Sequence, residues 1–475
     1  MAWVHGRRVT VLGAARSGLA AAELLRRHGI ETFVSDAGGI ARETTERLDR
    51  IGAGFEAGGH SVRALEADLI VASPGVPDSA EPMIRAGGAG IPVISEIELA
   101  SWFCTSRVTA VTGSNGKTTT TELLGHLFRL DGRTTAVCGN VGRPFSSLAD
   151  AEPPVDMIVL EVSSFQLDHV HTFRPDTAII LNITPDHLDR YGGSFGAYAL
   201  AKWTITNRQT ADDALVLNLD DPILRTLAGL DDSPGRPAGG ESSEPDADLP
   251  DLSGARPTSA HLYGITTENR PGAAGHLDGD RLVLDMHNNR ETLMKLENLA
   301  LRGRHNVYNS LAAAVAARVA EVRSDIVRES LESFEGVPHR LETVREADGI
   351  RWVNDSKATN VNAVWYALES FSSPIVLIMG GRDKGNSYEA LKPLVASRVK
   401  ALVSIGESAE LIDRELGPLV KDHVIADGMA DAVRLAALLA RRGDVVLLSP
   451  ACSSFDMFTN FEERGQEFRR LVNDQ

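Results

Sequence analysis

Short runs of aliphatic and β-branched residues alternate along the chain with longer stretches whose apolar positions recur at helical spacing. That rhythm predicts parallel sheets with crossover helices, an α/β fold, and it divides into three blocks. The first covers residues 1–97, with strand-like runs at 9–13, 32–36, 68–73 and 92–95 and an Ala- and Leu-rich helix after Gly18. The second, residues 98–336, opens on the strand Arg107-Val108-Thr109-Ala110-Val111 and has further strands near 157–160, 177–182 and 214–218. The third, residues 337–475, carries strands at 350–354, 375–380, 401–405 and 444–449. One stretch breaks the rhythm. Residues 231–256 are rich in Pro, Gly, Ser, Asp and Glu with almost no apolar periodicity, so a solvated, flexible acidic insertion is expected there.

Length and charge narrow the picture. A chain of 475 residues exceeds what one hydrophobic core serves, in keeping with two or three domains. Its formal net charge of −17 disfavours nucleic acid or an anionic membrane as the main partner. Small anionic ligands stay open, because local loops bind those whatever the total charge. Cys104, Cys138 and Cys452 stand far apart without metal-type spacing and read as buried thiols of a reducing compartment. The chain soon enters the strand-like Arg8-Val9-Thr10-Val11-Leu12, which leaves no room for a signal peptide, and no apolar run approaches membrane-spanning length. A cytoplasmic protein is expected.

Candidate chemistry gathers at the ends of strands. After the first strand of the second block come Thr112-Gly113-Ser114-Asn115-Gly116-Lys117-Thr118-Thr119 and then a helix. Glycines let backbone N–H groups turn onto phosphate oxygens, and the helix N-terminus adds partial positive charge. In such a loop Lys117 reaches the terminal phosphates and the Thr118 hydroxyl ligates Mg²⁺, although Val111 stands where the usual first glycine would be. A nucleoside triphosphate, ATP by preference, is the expected ligand. Glu161 ends the strand near 157–160, where a carboxylate beside a phosphate loop can hold Mg²⁺ or cap the next helix. His187, within Thr184-Pro185-Asp186-His187, follows another strand on the same sheet edge. Lys202 lies in the helical Tyr198-Ala199-Leu200-Ala201-Lys202-Trp203. A lysine buried there must be neutralised, paired or chemically modified.

The flanking blocks add anion-binding candidates. Gly13-Ala14-Ala15-Arg16-Ser17-Gly18 follows a strand and opens a helix, and Asp36 ends the next strand, as in a dinucleotide fingerprint. With Ala15 at the middle glycine, the segment supports a Rossmann-like nucleotide site without establishing a nicotinamide cofactor. A glycine needed for helix–strand packing explains it equally well. In the third block, residues 354–360 and 448–456 each follow a strand and open a helix, which suits a carboxylate or phosphate, or simple capping by Asp355 and Ser454. Gly380-Gly381-Arg382-Asp383-Lys384-Gly385 places another cation in a glycine-rich loop.

Together these segments resemble the Mur ligase family of peptidoglycan synthesis, from Gly13 to Phe468 outside the acidic insertion. Residues 112–119, Glu161, 182–187 and His305-Asn306-Val307-Tyr308-Asn309 carry the resemblance to the family as a whole. Ser163-Ser164-Phe165-Gln166-Leu167, Pro338-His339-Arg340-Leu341-Glu342, 354–360 and 449–461 carry the resemblance to its D-glutamate-adding members. The resemblance implies a Rossmann-like UDP-sugar-binding domain over 1–97, a central P-loop ATPase-type parallel sheet over 98–336 and a Rossmann-like α/β amino-acid-binding domain over 337–475. It further implies that ATP phosphorylates the carboxylate of UDP-N-acetylmuramoyl-L-alanine, and that D-glutamate then displaces phosphate to form an amide. Two Mg²⁺ ions are implied, one at Thr118 and Glu161, the other at His187 and a carbamylated Lys202. ATP contacts are implied for Gly113, Ser114, Asn115, Gly116, Lys117, Thr118, Thr119, Asn306, Asn309, Arg340, Asp355 and Lys357. The UDP-sugar site would comprise Arg16, Ser17, Asp36, Ala37, Ser73, Pro74, Gly75 and Asn140, with Ser163, Gln166 and His187 nearby. Thr359, Lys384, Ser454, Phe455 and Phe461 would form the D-glutamate pocket. A monomer is expected.

Three other readings compete. Another amide ligase of the superfamily, such as folylpolyglutamate synthase or the diamino-acid-adding Mur ligase, differs at 354–360 and 449–461. A nicotinamide-dependent dehydrogenase is opposed by Ala15 and the separate phosphate loop. A non-catalytic nucleotide-regulated protein has no need of Thr118, Glu161, His187 and Lys202 together.

Overall fold

The computed structural model describes residues 4, 6–230, 250–268, 270–286, 288–301, 303–383 and 385–475. They form two compact units, Met1–Leu299 with Tyr308–Phe334, and Ala300–Val307 with Glu335–Gln475. The α/β class expected from the chain is found, with three sheets.

The first unit holds two of them. One comprises β1 (Arg8–Leu12), β2 (Glu31–Asp36), β3 (Gly54–Ala57), β4 (Leu69–Ala72) and β5 (Val93–Ser95), all parallel in the order β3-β2-β1-β4-β5. The chain order reverses at β1, so the loops after β1 and β4 flank a crevice at the carboxyl edge, where ligands bind in open α/β sheets. Helix Arg16–Arg27 follows β1. Gly18 is required for its packing, because a Cβ there would lie 1.8 Å from the Gly13 carbonyl oxygen.

The other sheet comprises β6 (Arg107–Thr112), β7 (Thr135–Gly139), β8 (Met157–Glu161), β9 (Thr177–Ile180), β10 (Ala214–Asn218), β11 (His261–Thr266), β12 (Gly275–Asp278), β13 (Arg281–Met286) and β14 (Asn289–Lys295). Its order is β14-β13-β12-β11-β10-β9-β6-β8-β7, parallel except for the antiparallel β12-β13-β14 extension. Strands β8 and β10 are buried throughout, so both faces are covered and the sequence reads as continuous apolar runs. The expected insertion, residues 231–256, lies outside the described residues as far as 249. Its last residues run along helix Phe195–Trp203, where Leu252 and Ala255 pack on the core and Trp203 Nε1 donates to the Arg256 carbonyl at 2.8 Å.

The two sheets are tied by the connecting helix Glu96–Ser101. Its Glu98 is fully buried and accepts from the backbone N–H groups of His171, Thr172 and Phe173, from the Thr172 hydroxyl and from the Trp102 indole.

The second unit's sheet has β15 (Glu342–Ala347), β16 (Ile350–Asn354), β17 (Ile375–Gly380), β18 (Val399–Ile405), β19 (Asp422–Ile425) and β20 (Val445–Leu448), in the order β15-β16-β20-β17-β18-β19. Only β15 runs antiparallel. Because β20 inserts between β16 and β17, Asn354 pairs with Leu448, and the loops that follow these strands emerge side by side. Among the described residues no helix is long and apolar enough to cross a membrane.

Candidate active site

Between β6 and helix Lys117–Leu130 the chain turns through Gly113 and Gly116, at φ 148° and 86°, where β-carbon-bearing residues are strained. A Cβ on Gly116 would also stand 2.3 Å from Asn309 Oδ1, so the bare glycine lets Asn309 sit against the loop. Asn182, just past β9, fixes the loop's shape. Its Oδ1 accepts from Asn115 N–H at 2.8 Å, its Nδ2 donates to the Asn115 carbonyl at 3.1 Å, and its own carbonyl accepts from Ser114 N–H at 2.9 Å. Ser114 Oγ donates to the Thr184 carbonyl at 2.8 Å and lies 3.0 Å from the Tyr198 hydroxyl.

Two lysines converge on this loop. Lys117 Nζ donates to the carbonyls of Gly113 and Ser114, at 2.8 and 2.9 Å. Lys202 Nζ donates to the same Gly113 carbonyl at 2.9 Å and lies 4.5 Å from the Tyr198 ring centroid. Burial, and next the charge of Lys117, push Lys202 well below the usual lysine range, against the opposing pull of Asp186, Asp168 and Glu161. Its burial thus favours the neutral amine over the ammonium ion.

Glu161, at the end of β8, is buried, and its Oε1 accepts from Asn140 Nδ2 at 3.1 Å. Thr118, in the first turn of the loop's helix, is buried as well. His187 sits in a left-handed conformation, φ 51°, with its Nε2 3.7 Å from Asp186 Oδ2 and its ring edge-on to Phe165 at 5.0 Å. Among the described residues no three His, Cys, Asp or Glu side chains gather as a metal cluster. One carboxylate and one hydroxyl beside a phosphate loop do suit Mg²⁺, which takes few protein ligands and completes its shell with phosphate oxygens and water. The Lys202 amine, a donor beside another cation, does not suit a metal as it stands.

A cavity of about 460 Å³ opens at the carboxyl edge of the first sheet. Nine expected positions line it: Arg16, Ser17, Asp36, Ala37, Ser73, Pro74, Gly75, Asn140 and Gln166. Asn140 thus faces the cavity while holding Glu161. Ser163 is not in the lining; its N–H and hydroxyl both donate to Gln166 Oε1, at 3.1 and 3.0 Å, and so set that side chain. Asp36 accepts from Ala14 N–H at 2.6 Å and Gly38 N–H at 2.8 Å, which shapes the turn after β1. Sequence reasoning missed two contributors. His60 lines the cavity after β3, a strand whose polar pattern gave no signal. Arg190 stacks on Phe165 at 4.3 Å and donates to the Pro74 and Val76 carbonyls at 2.8 and 2.9 Å, fixing the loop after β4.

In the second unit, Asp355 is buried after β16, accepting from Ser449 Oγ at 2.8 Å and Leu341 N–H at 3.2 Å. Burial pushes its carboxyl up to about 7, against the lowering effects of the Ser449 hydrogen bond and Arg340. Lys357 Nζ lies 5.4 Å from the Phe461 ring centroid. Thr359 is half-buried beside the same loop, Ser454 is buried, and Phe455 is 62% exposed. Asn306 and Arg340 also belong to this unit. Lys384 lies outside the described residues. Nothing in the pattern of the chain singled out Arg464, a buried cation in helix Phe461–Asn473. It donates to the Ser356 hydroxyl and carbonyl at 3.0 and 2.8 Å and to the Cys452 carbonyl at 3.2 Å, stapling the two expected substrate loops. Burial lowers its guanidinium to about 10.

With this geometry in place, the comparisons with known proteins are specific. Residues 8–81 match the profile described as the MurD N-terminal domain, 111–235 that of the Mur ligase middle domain, and 339–452 that of the Mur ligase, glutamate ligase domain. The chain belongs to the Mur ligase family, and it is an enzyme, a ligase. A UDP-N-acetylmuramoylalanine–D-glutamate ligase of Salinibacter ruber is 53% identical over 475 residues, spanning 99% of this chain and 98% of its own. One of the same name from Bacteroides fragilis is 41% identical over 476 residues, spanning 98% and 100%. Among solved structures, the UDP-N-acetylmuramate–alanine ligase MurC of Thermotoga maritima superposes with a TM-score of 0.59 at 18% identity, over 99% of this chain and 100% of that one. A pseudomurein peptide ligase type C from Methanothermus fervidus gives 0.58 at 20%, with the same coverage. At such identities these structures speak for the fold alone.

Proposed function

We propose that this ligase joins D-glutamate to UDP-N-acetylmuramoyl-L-alanine at the expense of ATP, in the cytoplasmic synthesis of peptidoglycan precursors. The observation that carries the reading is the phosphate loop with Lys117 and Lys202 on one carbonyl, beside Glu161, whose partner Asn140 lines the nucleotide-sized cavity. The relatives named for this reaction match the chain nearly end to end.

In this reading the alanyl carboxylate attacks the terminal phosphorus of ATP and ADP leaves. The D-glutamate amine then attacks the acyl carbon, inorganic phosphate departs with the C–O bond, and the nitrogen loses a proton to leave the amide. Phosphorylation is needed because an unactivated carboxylate would have to expel oxide. Since two anions must meet, positioning and charge neutralisation carry the catalysis. Lys117 and the loop's N–H groups hold the terminal phosphates. Thr118 and Glu161 would hold one Mg²⁺, and His187 with Lys202 a second; the ions would supply charge neutralisation at the transferring phosphoryl group. Burial favours the neutral amine at Lys202, the form that adds carbon dioxide to give a carbamate and a proton, and this turns a misplaced donor into an oxygen ligand. Asn306, Asn309, Arg340, Asp355 and Lys357 serve ATP. Thr359, Lys384, Ser454, Phe455 and Phe461 serve D-glutamate.

The test is phosphate release from ATP with UDP-N-acetylmuramoyl-L-alanine and single amino acids. D-glutamate is expected to raise the rate well above L-glutamate, meso-diaminopimelate or buffer. Equal rates with D- and L-glutamate contradict the assignment.

A further inference from the structure

The cavity at the carboxyl edge of the first sheet contains one imidazole, His60, whose proton can be located from its surroundings. Ser35 Oγ donates to Glu56 Oε1 at 2.6 Å and lies 2.7 Å from His60 Nδ1. A hydroxyl has a single proton. Glu56 also accepts from Ser61 N–H at 3.0 Å. Burial raises its carboxyl, but the hydrogen bonds from Ser35 and Ser61 outweigh that and hold it below the usual carboxylate range, so it is ionised and cannot donate. The Ser35 proton therefore goes to Glu56, and Ser35 can only accept from His60. Nδ1 carries the hydrogen. In the neutral ring the other nitrogen, Nε2, is then a bare acceptor.

We propose that His60 is a further specificity-determining residue of the nucleotide pocket, its Nε2 accepting a hydrogen bond from a donor on the uridine moiety. The inference rests on the reading of this cavity as the UDP-sugar site. His60 follows β3 and stands with Asp36 and Ala37, which follow β2; in sheets of this topology that edge meets the base and ribose rather than the phosphates. Asp36, the acidic residue expected there, already receives the N–H groups of Ala14 and Gly38, one on each carboxylate oxygen. In the neutral ring His60 offers Nε2 as an acceptor, and among the described residues no backbone group donates to it. Uridine offers two kinds of donor, the imide N3–H of the base and the ribose hydroxyls.

Calorimetric titration of the full chain with UDP tests the proposal. Asparagine at this position reproduces the Nδ1 donor to Ser35 but has nothing at Nε2, whereas glutamine places an oxygen near Nε2. His60→Gln is expected to bind UDP within about threefold of the wild type, and His60→Asn about tenfold more weakly, the cost of one lost hydrogen bond in a pocket. ATP affinity should be unchanged in both, which separates this effect from misfolding. If the imide is the donor, 3-methyl-UDP loses the same factor against the wild type and nothing further against His60→Asn; if a hydroxyl is, 2′-deoxy-UDP or 3′-deoxy-UDP does so. His60→Asn binding UDP like the wild type, or indifference of the wild type to all three analogues, overturns the role given to His60. Absence of UDP binding by the wild type itself overturns the nucleotide reading of the cavity instead.

Discussion

Replacing Glu98 by glutamine changes the side chain by one atom and should nevertheless cost much of the first unit's stability. One carboxylate oxygen accepts from Thr172 N–H at 2.8 Å, the Thr172 hydroxyl at 2.5 Å and the Trp102 indole at 3.1 Å. The other accepts from His171 N–H at 3.0 Å and Phe173 N–H at 2.8 Å. An amide has only one accepting oxygen, so in its better orientation its NH₂ faces the His171 and Phe173 donors. Each buried donor left unmet costs about 1–3 kcal/mol, which gives about 2–6 kcal/mol for the pair. His171 is exposed, so water can relieve part of this, and about 2–4 kcal/mol is the expected range. Total domain stability is only about 5–15 kcal/mol, so the change is readable. Urea unfolding would give the global value, and hydrogen exchange at residues 171–173 the local one. A Glu98→Gln protein within about 0.5 kcal/mol of the wild type, with those amides still protected, refutes the reasoning, because ordinary surface substitutions fall in that band.

Other consequences can be measured separately. Lys202→Ala should lower D-glutamate-dependent phosphate release by a factor on the order of 100 or more, with partial recovery in formate or acetate; no recovery contradicts a carbamate at this position. Gly116→Ala places a side chain at φ 86° and 2.3 Å from Asn309 Oδ1. The backbone strain alone costs about 1–2 kcal/mol, so ATP affinity, measured by calorimetry, should fall at least about fivefold while UDP binding holds. Asp355, with its carboxyl raised to about 7, keeps a proton in the folded protein that the unfolded chain has lost. Wild-type stability relative to Asp355→Asn should therefore decline as pH rises from about 4 to about 7 and level off above, and parallel pH curves for the two proteins contradict the burial argument.

How much of this was legible in the chain depended on burial. Strands β6, β8, β10 and β17 are covered on both faces, so their apolar runs stood out. By contrast the edge strands β3 and β19 hold only exposed and half-buried positions, and the edge strand β14 buries only Leu293 and Met294, so they left no such trace. The phosphate loop was readable because its backbone demands glycine at 113 and 116. That residues 354–360 and 448–456 meet was not, since it follows from β20 inserting between β16 and β17, a choice of topology that no spacing reveals. Arg464 and His60 escaped for a related reason. Each is one polar residue in an ordinary pattern, given meaning only by what the fold brings against it: the Ser356 and Cys452 carbonyls for one, the Ser35 hydroxyl for the other.

The central claim is that the loop at residues 112–119 moves a phosphoryl group onto a substrate carboxylate rather than onto water. UDP-N-acetylmuramoyl-L-alanine labelled with ¹⁸O in its alanyl carboxylate tests this directly. With ATP and D-glutamate, the released phosphate is predicted to carry one labelled oxygen for each amide formed. Phosphate released without label, while amide accumulates, contradicts the account.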